Sequence, residues 1–144
     1  MKQVDTVIGC DGVVIIPTYN EKENVENIIR AVFALEKIFH ILIIDDGSPD
    51  GTAEIVKRLK DEFPERLHLL ERKGKQGLGT AYITGFKWAV SRGYDYIFEM
   101  DADFSHNPND LLKLWSACAV KGADMAIGSR YITGVNVVNW PMGR

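Results

Sequence analysis

Short apolar segments alternate with amphipathic segments along most of this chain, and this alternation limits its fold more than any other feature. Five segments are short and mostly apolar, as expected of strands that are buried on both faces of a sheet. They are GVVIIP (12–17), HILII (40–44), LHLL (67–70), YDYIFEM (94–100) and ADMAIGS (123–129). Strands that alternate with helices predict an α/β fold with a mostly parallel sheet of five strands, flanked by helices.

Apolar residues at helical spacing predict four helices between these strands. The helical segments are 21–36, 52–63, 79–92 and the segment from Asn107 to Gly122. Asn20 followed by Glu23 predicts an N-cap for the first helix, and Asn107 followed by Pro108 predicts the start of the fourth. In the third helix, Gly79, Ala81 and Gly85 are small enough to predict close packing on the sheet.

The alternation stops after residue 131, in ITGVNVVNWPMGR, where neither a sixth strand nor a further helix is predicted. The length of 144 residues, 46% of them hydrophobic, suits one compact domain. We therefore expect one domain over residues 1–144, forming the N-terminal catalytic portion of a longer protein that is truncated at its C-terminus.

Charge and composition exclude several classes of protein. The net charge of −3 gives no basis for binding nucleic acid, and two cysteines fit a reducing compartment. The N-terminus lacks the apolar core of a signal peptide, and no segment approaches the roughly 20 apolar residues of a membrane span. The expected location is the cytoplasm, with at most peripheral association with a membrane.

The unusual loops of this chain all follow predicted strands. They are PTYNE (17–21), DDGSPDGT (45–52), ERKGKQGLGT (71–80), DADFSHNP (101–108) and SRY (129–131). In a parallel α/β sheet, ligands bind outside the carboxyl ends of the strands. The five loops therefore predict a ligand site at this edge of the sheet.

Asp101 and Asp103 form an Asp-x-Asp pair directly after an apolar strand. In an extended segment such side chains point the same way, and adjacent carboxylates repel unless a cation lies between them or one is protonated. Mg²⁺ and Mn²⁺ take oxygen ligands, including those of diphosphates. The alternative is a solvated loop with helix-capping acids, which we would favour for the pair alone. The position after the strand favours a cation site.

Three other loops carry residues with both structural and ligand-binding interpretations. Asp45 and Asp46 follow a strand at a place where acids accept hydrogen bonds from a ribose or base, although their loop also predicts a turn. Tyr19 offers a ring for base stacking and Glu21 a carboxylate on the same edge. Arg130 is either a surface cation or a phosphate ligand.

Together, five motifs resemble the family 2 glycosyltransferases, which have the Rossmann-like GT-A fold. Within that family they most resemble the dolichol-phosphate or polyprenol-phosphate mannose synthases. The motifs are PTYNE, IDDGSPDGT, GLGTAY, MDADFSHNP and GSRY, which occur in the order of that family within residues 13–131. The resemblance implies a nucleotide-sugar site. The residues implied to bind the nucleotide sugar are Pro17, Tyr19, Glu21, Ile44, Asp46, Asp101, Ala102, Asp103 and Arg130.

The resemblance also implies particular roles at the reacting end of this site. Asp101, Asp103 and Arg130 are the implied catalytic residues, and the two aspartates would hold Mg²⁺ or Mn²⁺. Ser105 is at a position where some relatives have a glutamine metal ligand, and its hydroxyl is a poorer ligand. Arg144 is where relatives have an arginine for the acceptor phosphate.

The implied reaction is an inverting transfer of mannose from GDP-mannose to a polyprenyl phosphate, at the cytoplasmic face of a membrane. A phosphate acceptor is already ionised at neutral pH, so the reaction needs no general base. The alternatives are a UDP-sugar donor, a saccharide acceptor, or nucleotide binding without turnover. A phosphoaspartate enzyme is disfavoured. In such enzymes the key acid follows the first strand or is paired with a lysine late in the chain. Here Asp101 follows the fourth predicted strand, and Arg130 follows the fifth.

Overall fold

The computed structural model describes residues 12–74, 76–103, 107–119, 125–127 and 136–139. Six strands and four helices lie within these ranges. The strands are β1 (Gly12–Thr18), β2 (His40–Asp45), β3 (Leu67–Glu71), β4 (Tyr96–Glu99), β5 (Met125–Ile127) and β6 (Asn136–Asn139). The helices are α1 (Val25–Phe33), α2 (Thr52–Glu62), α3 (Leu78–Ser91) and α4 (Asp110–Ala119). No helix in the described ranges is long and apolar enough to cross a bilayer.

The strands form one sheet in the order β3-β2-β1-β4-β6-β5. The pairs that join β1 to β2, β2 to β3 and β1 to β4 are parallel, which confirms the predicted mostly parallel sheet. The predicted fifth strand is present as β5, but it pairs with β6 instead of lying next to β4.

The prediction that no strand follows residue 131 is wrong, because β6 lies between β4 and β5 and is antiparallel to both. Its sequence is NVVN, so only Val137 and Val138 are apolar. Two apolar residues between asparagines are too short a run to predict a strand from the pattern alone. The strand depends on its pairing with β4, opposite Ile97 and Phe98.

The central strands are buried on both faces, which explains their continuous apolar runs. In β1, Val14 and Ile16 pack in the core on the side of α1, α2 and α4. Val13 and Ile15 pack on the opposite side, against α3. The two cores hold the parallel strands from both sides and fix the edge at which their carboxyl ends meet.

The predicted close packing of α3 on the sheet is confirmed at Gly85. A Cβ atom on Gly85 would lie 2.8 Å from Cγ2 of Ile15 and 2.9 Å from Cδ1 of Ile44, both of which are fully buried. Gly79, in the first turn of the same helix, has no such neighbour within 4 Å. Of these two glycines, only Gly85 is therefore required by the close approach of helix and sheet. Ala81 also lies where predicted, fully buried in the same core.

We expect Gly85→Ala to lower the free energy of unfolding by about 1–3 kcal/mol, because the added methyl overpacks the core. Gly79→Ala, in the same helix, is the matched control. It should be neutral or raise that free energy by up to about 1 kcal/mol, because alanine loses less entropy in a helix. Urea unfolding followed by circular dichroism measures both values, and equal effects would contradict this packing.

The predicted start of α1 is wrong. The helix begins at Val25, its N-cap residue is Asn24, and no side chain makes a capping hydrogen bond. Asn20 instead has a left-handed backbone with φ of 57°. The other helices begin close to their predicted positions, and Asn107 accepts a hydrogen bond from the Asn109 N–H in the turn before α4.

Candidate functional site

A pocket opens at the carboxyl ends of β1, β2 and β4, where the parallel strands bring their loops together. The residues that line it are Pro17, Thr18, Tyr19, Glu21, Asp46, Gly77, Ala81, Asp101, Ala102 and Asp103. Its volume of about 190 Å³ is below the roughly 300–1,000 Å³ of most small-molecule sites.

The pocket brings together most of the predicted site residues. The predicted residues in its lining are Pro17, Tyr19, Glu21, Asp46, Asp101, Ala102 and Asp103. Ile44 is not in the lining, because its side chain is fully buried in the core below α3. Ser105, Arg130 and Arg144 lie outside the described residues.

The acidic side of the pocket is formed by Asp101 and Asp103, just beyond β4. The hydroxyl of Tyr82 on α3 donates a hydrogen bond of 3.2 Å to Oδ1 of Asp101. Burial, followed by the charges of Asp101 and Glu99, raises the pKa of Tyr82 well above its usual range. The phenol therefore remains a hydrogen-bond donor at neutral pH.

The donor set of this acidic side fits a hard divalent cation. Among the described residues, no group of three or more His, Cys, Asp or Glu side chains is placed to hold a metal. The protein ligands among these residues would be two carboxylates, those of Asp101 and Asp103. Mg²⁺ is commonly held by one or two carboxylates, with waters and substrate phosphates as its other ligands. The pair therefore fits a cation that is bound together with a phosphorylated ligand.

Asp46, on the opposite side of the pocket, is engaged by a residue that the sequence did not single out. Arg72 donates from Nε to Oδ1 at 2.7 Å and from Nη2 to Oδ2 at 2.9 Å. Both side chains are about nine-tenths buried. Arg72 also donates to Oγ1 of Thr80 at 3.2 Å and to the carbonyl oxygen of Gly77 at 3.4 Å. Arg72 therefore connects the ends of β2 and β3 to the start of α3.

A signal for this pair was present in the sequence. Asp46 follows β2 and Arg72 follows β3, and the last residues of these strands, Asp45 and Glu71, are register partners. An acid and a base directly after adjacent parallel strands are placed to form an ion pair. The Asp46 carboxylate accepts a third hydrogen bond, from the Gln76 N–H at 3.5 Å. Any hydrogen bond to a ribose or base must therefore use the lone pairs that these three donors leave.

Asp45 has a structural role, although it stands beside Asp46 in sequence. Its Oδ1 accepts hydrogen bonds from the hydroxyls of Thr18 at 2.7 Å and Ser48 at 2.6 Å. Its Oδ2 accepts the Ser48 N–H at 2.9 Å, and only 1% of the residue is exposed. The two acids at the end of β2 thus differ: Asp45 fixes the turn and Asp46 lines the pocket.

The GSPDGT turn also fixes the loop that carries Tyr19 and Glu21. Three backbone N–H groups of that loop donate to side chains of the turn. The hydrogen bonds are Asn20 to Ser48 Oγ at 2.8 Å, Glu21 to Thr52 Oγ1 at 3.0 Å and Lys22 to Asp50 Oδ2 at 3.1 Å. These contacts hold Asn20 in its left-handed conformation. They position Tyr19, which is 38% exposed, at the pocket.

We expect Thr52→Val to lower the free energy of unfolding by about 1–3 kcal/mol, because it leaves the Glu21 N–H without its acceptor. Thr52 is fully buried, and valine preserves its shape. Ser91→Ala is the control, since that exposed hydroxyl donates only within α3, to the Trp88 carbonyl. Chemical denaturation should show a change of no more than about 0.5 kcal/mol for the control. A Thr52→Val protein as stable as wild type would show that the turn does not hold the loop.

Residues 13–144 match the family model described as Glycosyl transferase family 2. A polyprenol monophosphomannose synthase of Mycolicibacterium smegmatis is 50% identical over 91% of this chain and 49% of its own length. An undecaprenyl-phosphate mannosyltransferase of Micrococcus luteus is 45% identical over 90% of this chain and 52% of its own length. A dolichol-phosphate mannosyltransferase of Pyrococcus furiosus is 42% identical over 91% of this chain and 36% of its own length.

The chain thus spans about half the length, or less, of these curated relatives. Among solved structures, a mannosyltransferase of Pyrobaculum calidifontis in complex with GDP-Man and Mn²⁺ has a TM-score of 0.75 at 18% identity, over 90% of this chain and 44% of that one. A glucosyl-3-phosphoglycerate synthase of Mycobacterium tuberculosis, in complex with Mn²⁺ and UDP, has a TM-score of 0.65 at 16% identity, over 89% of this chain and 56% of that one. At such identities the likeness shows the fold, and it confirms the predicted GT-A-like architecture.

Proposed function

The chain belongs to glycosyltransferase family 2, and from this premise we propose that it is the donor-binding part of an enzyme that transfers mannose from GDP-mannose to a polyprenyl phosphate. The main support is the pocket, in which the Tyr19 loop and the Asp101–Asp103 pair face one space. The three mannosyltransferase relatives at 42–50% identity support mannose as the sugar and a polyprenyl phosphate as the acceptor. One domain over residues 1–144 is part of the proposal.

The nucleoside would bind at the side of the pocket formed by the β1 and β2 loops. Tyr19 offers a partly exposed ring for the base, and Glu21 a carboxylate for ribose or base donors. Pro17 and Asp46 line the same side. The hydrogen bonds that the Tyr19 loop donates to the GSPDGT turn, and the ion pair between Arg72 and Asp46, order this side of the pocket before a ligand binds. Ligand binding therefore costs less conformational entropy.

The diphosphate would bind at the acidic side, where Asp101 and Asp103 would hold Mg²⁺ or Mn²⁺. Such a cation stabilises the negative charge of a leaving diphosphate as a Lewis acid. Ala102, between the aspartates, is 3% exposed and small, so it leaves room for the phosphates. Ser105, outside the described residues, is proposed as a further ligand on its position in the sequence.

The acceptor phosphate would attack the anomeric carbon from the face opposite the leaving diphosphate and invert that centre. The phosphate is ionised at neutral pH, so no residue needs to remove a proton from it. Arg130 and Arg144, both outside the described residues, are proposed to contact the donor or acceptor phosphates through charge-assisted hydrogen bonds. A lipid acceptor would require the reaction to take place at a membrane surface, and we propose its cytoplasmic face, with peripheral association.

The proposal is tested by the thermal stability of the chain with GDP, GDP-mannose, UDP and UDP-glucose, each with Mn²⁺, Mg²⁺ or a chelator. A ligand that binds only the folded state raises the melting temperature. We expect both guanosine ligands to raise it with either cation and to lose most of this effect with chelator. A response to uridine ligands alone would replace GDP-mannose as the donor, and no response to any nucleotide would contradict donor binding by this chain.

A further inference from the structure

We propose that Tyr82 is a positioning residue for the cation site, and that its hydroxyl holds one oxygen of Asp101 so that the other is presented to the cation. This inference rests on the proposed function. The observation behind it is the 3.2 Å hydrogen bond from the Tyr82 hydroxyl to Oδ1 of Asp101. Asp101 lines the pocket, and so does Ala81, the residue before Tyr82 on α3.

A carboxylate just beyond the end of a strand has a broad range of side-chain rotation, because its terminal torsion is only weakly restricted. A hydrogen bond to Oδ1 restricts that rotation and leaves Oδ2 of Asp101 as the oxygen without this donor. Groups that donate to a metal-binding carboxylate orient it, and their loss commonly weakens metal binding. The hydroxyl also offsets part of the repulsion between Asp101 and Asp103, which line the same pocket.

The packing of α3 makes this hydrogen bond a fixed feature of the fold. The Tyr82 ring is partly buried against the core formed by β1, β2 and α3. One turn further along, Gly85 allows the helix to approach Ile15 and Ile44 closely. The position of the phenol is thus set by the sheet itself, which is the rigid support that a cation site requires.

The hydrogen bond is tested by Tyr82→Phe in the full 144-residue chain, with Mn²⁺ binding measured by electron paramagnetic resonance in the presence of GDP. We expect the affinity for Mn²⁺ to fall by about 10- to 100-fold, which is typical when an outer partner of a metal ligand is lost. Binding of GDP without cation should stay at the wild-type level, because Tyr82 does not line the pocket.

Tyr94→Phe is the matched control. Its hydroxyl makes a 2.6 Å hydrogen bond with Nδ1 of His40, at the opposite end of the sheet from Asp101. This variant also loses one partly buried hydroxyl contact and should bind Mn²⁺ with wild-type affinity. Chemical unfolding of both variants measures any general loss of stability.

The outcomes separate this inference from the function on which it rests. Wild-type Mn²⁺ affinity in Tyr82→Phe, with cation-dependent GDP binding intact, would overturn the positioning role and leave the proposed function in place. Equal weakening of cation-free GDP binding and Mn²⁺ binding would assign Tyr82 a purely structural role and also overturn it. If the wild-type chain binds no Mn²⁺ with GDP, both proposals are contradicted.

Discussion

Asp101→Asn is expected to weaken the binding of GDP in the presence of Mn²⁺ by more than about 100-fold. Removing a group that only hydrogen-bonds to a metal ligand typically costs about 10- to 100-fold, and the loss of a ligand itself should cost more. The substitution removes one of the two negative charges next to the proposed diphosphate position. Asparagine also replaces one carboxylate oxygen by an amide nitrogen, which carries donors and cannot bind a cation. Binding of GDP without cation should not weaken, because one carboxylate that repels the diphosphate is removed.

Isothermal titration calorimetry with GDP, in Mn²⁺ and in chelator, measures this effect. Asp61→Asn is the matched control, since it removes the same charge from an exposed position on α2. It should bind GDP with wild-type affinity in both conditions. In a longer protein that holds the acceptor, Asp103→Asn should likewise remove most cation-dependent turnover. Undiminished Mn²⁺ dependence in Asp101→Asn would show that the aspartate pair does not hold the cation.

Arg72→Met is expected to lower the free energy of unfolding by about 3–5 kcal/mol, as is typical when one partner of a buried ion pair is removed. The cause is the Asp46 carboxylate, which is about nine-tenths buried and would lose both hydrogen bonds from the guanidinium. The contacts of Arg72 with Thr80 and Gly77 are lost as well. Since Gly77 and Asp46 line the pocket, nucleotide affinity should also fall.

The double variant Asp46→Leu/Arg72→Met separates the two effects. Replacing both partners by apolar residues removes the unpaired charge and should restore most of the stability. Nucleotide binding should remain weak, because the pocket still lacks the polar wall formed by Asp46 and its partner Arg72. Thermal and chemical unfolding with GDP titrations measure both properties. If the double variant is no more stable than Arg72→Met, the buried charge is not the cause; if it binds GDP normally, the wall has no part in the site.

The parallel part of the fold and the edge that carries the site could be predicted from the sequence. The runs in β1 and β2 are continuous because both faces of these strands are buried, and such runs are visible without any knowledge of their partners. The location of the pocket then followed from the carboxyl ends of the strands. The resemblance to family 2 glycosyltransferases supplied the expected roles of the residues.

Features that depend on long-range contacts could not be predicted in the same way. The left-handed Asn20 depends on Ser48, which is 28 residues away in the sequence. The hydrogen bond from Tyr82 to Asp101 spans 19 residues and depends on how closely α3 approaches the sheet. Local patterns carry no information on such contacts, so Asn20 was wrongly predicted as a helix cap.

The most direct test of the central claim is a crystal structure of this chain with GDP and Mn²⁺, with the cation located by its anomalous scattering. The proposal predicts one manganese peak at about 2.0–2.6 Å from carboxylate oxygens of Asp101 and Asp103, the range that spans Mg²⁺ and Ca²⁺ sites. The same peak should contact the diphosphate, with the guanine base against Tyr19. Manganese away from these aspartates, or GDP bound outside the pocket, would contradict the proposed donor site.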